Sequence, residues 1–102
     1  MSRDNPTPAE RELLALLAEE CGEVVQIVGK CLRHGILSWN PNVGERPNNQ
    51  DLLEKELGDL FAAVELLENY GVVAPHMIAK AKASKLERVG EYLHHADVKK
   101  RA

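Results

Sequence analysis

"ELLALLAEECGEVVQIVGKCL", residues 12–32, reads as one long amphipathic helix with an anomaly at its centre. Leu13, Leu16, Leu17, Val24, Ile27 and Cys31 recur at helical steps and form a continuous apolar stripe. Glu20 stands in the middle of that stripe, Glu23 stands one turn on at its edge, and Glu19 flanks it. Gly22, a weak helix former, falls between them. Such a helix can bury its stripe only if something answers the charge.

Working outward, the start of this helix is written in "TPAERELL". Thr7 suits the N-cap, Pro8 the first turn, and Glu10 the third position of a capping box. The helix is expected to run to about His34 and to stop at Gly35. A loop rich in Gly, Pro, Asn and Ser follows, "GILSWNPNVGERPNN". It is longer than most helix connections, and such loops are often functional. A second helix is expected from Asn49, taken as its cap, through "QDLLEKELGDLFAAVELLENY" to Gly71. Pro75 opens a third, "HMIAKAKASKLERVGEYLHH", and the basic tail "ADVKKRA" is expected to fray. No convincing strand appears. The expected fold is all-α, a helical bundle of three main helices in one domain over residues 1–102.

A chain of 102 residues is too short for two independent cores. A net charge of −3 with mixed signs offers no overall basic face, so a nucleic acid polymer is not the expected partner. Charges interrupt every apolar run, so no span and no membrane partner are expected. The amino terminus lacks the apolar core of a secretory leader. With Cys21 and Cys31 ten residues apart on one helix, too far for a disulfide and expected as buried thiols, the chain reads as cytoplasmic.

The second helix repeats the anomaly of the first. Helical steps of three, four, seven and eleven from Asp59 reach Leu52, Ala62, Ala63, Leu66 and Tyr70, and Glu56 lies one turn before it. "ECGE" and "ELGD" are thus matching acid pairs at i and i+3. If the helices pack by these stripes, four carboxylates converge. Single acids on helices are usually solvated, but two pairs replacing apolar residues at stripe centres point to a hard divalent cation with oxygen ligands. On the opposite side of the first helix, Ala15, Ala18, Gly22 and Gly29 form a row of small residues that invites close packing. Three helices can hardly cover both sides, so oligomerisation is expected to complete a larger four-helix-type bundle.

"EECGE" followed by "KELGDL" resembles the EExxE…ExxD signature of the MazG-like all-α nucleoside triphosphate pyrophosphohydrolases, over about the whole chain. The resemblance implies a homo-oligomer, dimer or tetramer, that hydrolyses a nucleoside triphosphate to the monophosphate and pyrophosphate, in nucleotide-pool house-cleaning. It implies Mg²⁺, with Mn²⁺ as a substitute, held by Glu20, Glu23, Glu56 and Asp59, with Glu19 as a supporting acid. Basic residues facing the phosphates would come from Lys30 and Arg33 on the first helix and from Lys82, Lys85 and Arg88 on the third. Trp39 suits base stacking as well as it suits pinning the loop. Asn49 could read the base or ribose, though helix capping accounts for it too. The four histidines show no metal spacing. Two alternatives share these features: a helical oligomerisation or binding module without catalysis, and a phosphoribosyl-ATP pyrophosphohydrolase. The intact acid quartet favours an enzyme over a scaffold.

Overall fold

Helix α1, Pro8–His34, is set at its first turn by a reciprocal pair of hydrogen bonds. The Glu10 N–H donates to Thr7 Oγ1 at 3.1 Å, and the Thr7 N–H donates to Glu10 Oε1 at 2.8 Å. The helix stops where expected. Gly35 adopts φ 103°, a conformation that L side chains rarely adopt, and its N–H donates to Cys31 O at 2.9 Å.

The structure, a computed structural model, describes residues 4–43, 47–95 and 97–98. Most of the tail expected to fray, residues 96–102, lies outside them. The described residues form α1, α2 (Asn49–Asn69) and α3 (Pro75–Arg88), with short 3₁₀ turns at Pro41–Val43 and Val89–Glu91. The third α-helix is thus shorter than the sequence pattern suggests, tightening to 3₁₀ after Arg88. No strand occurs among the described residues; Trp39 and Asn48 make one isolated antiparallel bridge. The chain divides into two compact units, Met1–Tyr70 and Gly71–Ala102.

Helix α2 begins one residue earlier in function than the sequence suggests. Asn48 is the N-cap: its Oδ1 accepts from the Asp51 N–H at 2.8 Å, while its own N–H donates to Asp51 Oδ2 at 3.1 Å. Asn49 is the first helical residue and does something else. Its buried amide donates to Gly35 O at 2.9 Å and more weakly to Lys30 O at 3.5 Å, tying the start of α2 to the end of α1. Two backbone bonds hold the same junction, Asn49 N–H to Ser38 O and Gln50 N–H to Ile36 O, both 2.8 Å.

That tie fixes the register of the α1–α2 pair. Seven residues back along α1 from Lys30 is Glu23, and seven forward along α2 from Asn49 is Glu56. Three more residues on each helix give Glu20 and Asp59. The helices therefore run antiparallel, with the acid pairs at matching heights. Ile27, Ala63 and Leu67 are the buried apolar residues of the described chain. On α2 the line from buried Asn49 to buried Ala63 passes through Glu56, whose side chain is 16% exposed against 42% for Asp59, so Glu56 rather than Asp59 lies nearer the centre of the packed face. Leu66 and Tyr70, counted with Asp59 in the sequence stripe, are exposed.

Candidate metal centre

The antiparallel register brings Glu20, Glu23, Glu56 and Asp59 together, with one carboxylate oxygen from each within 4.8 Å of the others. All four are partly buried. Oε2 of Glu20 and Oε2 of Glu56 are shielded from solvent and have no hydrogen-bond partner among the described residues. A hidden carboxylate oxygen without a donor is costly, and the cost grows when other carboxylates surround it. The crowding shows at Glu23, whose pKa is raised from an ordinary 4.5 to about 7. Its hydrogen bond with Glu56 is the main cause, followed by the charges of Glu56 and Glu20, with smaller contributions from desolvation and Glu19.

One cation already reaches the cluster. Lys55 Nζ donates to Asp59 Oδ2 at 2.8 Å and stands 3.5 Å from Glu56 Oε1. Its own pKa is raised, first by the hydrogen bond to Asp59 and then by the charges of Asp59 and Glu56. Yet its side chain is 62% exposed, and it answers only the outer rim, leaving the hidden oxygens of Glu20 and Glu56 unpaired. The donor set fits a hard divalent cation. Carboxylate oxygens bound at roughly 2.0–2.6 Å to one ion lie no more than about 4–5 Å apart, close to the spread already present. A cation there would supply the donor-free oxygens with the positive charge that the chain does not.

The sequence as a whole agrees with this site. A family model for the MazG nucleotide pyrophosphohydrolase domain matches residues 9–93. The chain belongs to the MazG family. The match contains all four clustered acids and extends across both compact units of the chain. MazG proteins are in general nucleotide pyrophosphohydrolases, and they typically depend on a divalent metal. Comparison with curated proteins and with solved structures gives no significant match in either.

The remaining candidate residues of this MazG chain fall in several places. Glu19 is exposed and outside the quartet, acting on Glu23 only through its charge. Lys30 borders the quartet: it lines a cavity of about 200 Å³ together with Glu23, Gln26, Ile27, Leu52 and Glu56. Lys30 and Leu52 also line a larger adjoining cavity of about 570 Å³, where Trp39 and Asn49 lie. Trp39 is 44% exposed, and the loop that carries it is held by backbone bonds. Lys82, Lys85 and Arg88 are exposed on α3 in the second unit; there Lys85 Nζ lies 5.6 Å from the Tyr92 ring centroid, and Arg88 Nε donates to Ser84 Oγ at 3.4 Å. Cys21, expected to be buried, is exposed, and Cys31 is half-buried; both are free thiols. Sequence reasoning gave Lys55 no role, although its i,i+4 spacing to Asp59 was the available signal.

Proposed function

We propose that the chain hydrolyses a (deoxy)nucleoside triphosphate to the monophosphate and pyrophosphate, using Mg²⁺ held by Glu20, Glu23, Glu56 and Asp59. The observation that carries this reading is the convergence of those carboxylates with two hidden oxygens left without donors. Bound there, Mg²⁺ would neutralise phosphate oxygens during cleavage of the anhydride. The chain's own residues do the rest. The acid quartet fixes where the triphosphate can approach, since phosphates are repelled by bare carboxylates and drawn only to the charged site. Lys30, at the border of the two cavities, adds positive charge beside the phosphates. Glu19, outside the quartet but close enough to influence Glu23, is the acid left to orient the attacking water. The larger cavity takes the nucleoside, with Trp39 in its lining for stacking and Asn49 beside it in the same lining.

The same reading includes self-association, as a dimer or a tetramer. Leu14, Ala18, Cys21, Val25, Val28 and Leu32 are all exposed on α1, at alternating steps of four and three. That spacing is the seam of a helix-to-helix contact. A Cβ added at Gly22 or Gly29 would meet nothing within 4 Å, so the small-residue row has room for a partner helix.

A nucleotide panel with Mg²⁺, following pyrophosphate and monophosphate release, tests the catalytic claim. Turnover of at least one nucleotide is expected, with Glu56→Ala lowering kcat/KM by about 100-fold or more, the scale of losing a main electrostatic stabiliser. Absence of turnover with every nucleotide, or a Glu56→Ala variant as active as the wild type, would defeat it.

A further inference from the structure

Lys55 is bound to two members of the acid quartet in a way that helix geometry does little to favour. Successive residues on a helix do not face one another, and a lysine four residues before an acid is the weaker order of that pair. Lys55 nevertheless reaches over its neighbour Glu56, with Nζ 3.5 Å from Glu56 Oε1, and donates to Asp59 Oδ2 at 2.8 Å. What draws it there is the density of negative charge, since Glu20 and Glu23 stand beside the same two acids.

Two properties make this contact exchangeable. The Lys55 side chain is 62% exposed and that of Asp59 42%, so the pair lies at the solvent edge, where ion pairs add little stability. The ammonium also sits on a flexible four-carbon stem. A divalent cation held through Asp59 and Glu56 would share both carboxylates with that ammonium. Whichever oxygens the ion takes, like charges so close repel. The ion carries the larger charge and draws on four acids, so the ammonium is the group that leaves. It stays tethered at the rim, beside the place where phosphate oxygens on the ion bring new negative charge.

The geometry points to Lys55 as a phosphate-binding residue held in reserve: its ammonium lies on Asp59 and Glu56 until a divalent cation displaces it, and then passes to the triphosphate. Lysine suits this role because it binds phosphate as a mobile point charge. Lys55 therefore opposes the cation when it comes alone and favours the triphosphate once the cation is in place. The two ligands are coupled through one side chain. The inference rests on the nucleotide reading and names a regulation of that same site.

Two titrations separate the opposed effects. Calorimetry with Mg²⁺ alone reads the cost of displacing the ammonium. Titration of dATP, dGTP, dCTP and dTTP in saturating Ca²⁺, followed by the fluorescence of Trp39, the chain's only tryptophan, reads what the displaced ammonium contributes. Lys55→Met and Lys55→Gln are both expected to bind Mg²⁺ about 3-fold more tightly than the wild type. Both are expected to bind the best-held nucleotide at least ~5-fold more weakly. A damaged fold would weaken both affinities, so the opposed directions are the signature. Unchanged or weaker Mg²⁺ binding overturns the inference, as does unchanged or tighter nucleotide binding. Turnover assays distinguish the two claims. A wild type that turns nucleotide over alongside either overturning result defeats the role of Lys55 alone; opposed shifts without any turnover uphold that role and overturn the pyrophosphohydrolase reading.

Discussion

Glu23 keeps its proton chiefly through its side-chain hydrogen bond with Glu56 and through the neighbouring charges of Glu56 and Glu20. This gives the metal-free protein a definite pH signature. An unfolded glutamate loses its proton near 4.5, whereas folded Glu23 keeps it until about 7. Between these values the folded state binds more protons, so stability falls as pH rises. The contribution is complete below about 4.5 and gone above about 7. Thermal unfolding in chelator is therefore expected to give a higher Tm near the lower end of this window than above its upper end. Saturating divalent cation should remove or reverse that trend, because bound carboxylates are ionised. A Tm that rises with pH in chelator would show that the acids do not crowd one another.

At the scale of elements, the junction of α1 and α2 depends on one buried side chain. Asn49→Ala removes both amide donors at once and leaves the carbonyls of Gly35 and Lys30 to find other partners. A loss of about 1–3 kcal/mol in chemical denaturation is expected, together with a weakened response to nucleotide, since the same tie sets the acid register and the cavity wall. A variant as stable as the wild type would place the register elsewhere.

This element also shows how far sequence reading reaches. The Thr7–Glu10 cap, the stop at Gly35 and the facing acid pairs were legible because each depends on local chemistry or helical period. The choice between Asn48 and Asn49 as cap was not, because neighbouring asparagines have the same chemistry and a bond to the other helix decides between them. The same limit explains Asp59 and Cys21. A stripe pattern says which residues share a face, but only the packed partner says where that face is centred, and α1 carries apolar residues on two faces. The cavity at Trp39 had no sequence signal beyond a long loop, because the loop's return onto α1 and α2 is what forms it.

At the scale of the whole molecule, few large apolar side chains are buried among the described residues. Ile27, Ala63 and Leu67 are buried, whereas Val25 is 72% and Leu32 82% exposed along the outer seam of α1. Exposed aliphatics at regular helical spacing mark an interaction surface more often than a solvated one. The wild-type protein is expected to sediment as a dimer or tetramer, and Val25→Glu to shift it toward the monomer by placing a charge in the seam. A monomeric wild type, or an assembly indifferent to Val25→Glu, would locate the contact on another face.

If Glu20, Glu23, Glu56 and Asp59 together hold a divalent cation, calorimetric titration of Mg²⁺ into metal-free protein will register it. Saturable binding to the wild type is expected, with an affinity at least ~10-fold weaker for Glu20→Gln, which keeps the shape of the side chain but removes one ligand charge. No saturable heat with the wild type, or superimposable isotherms for the two proteins, would contradict it.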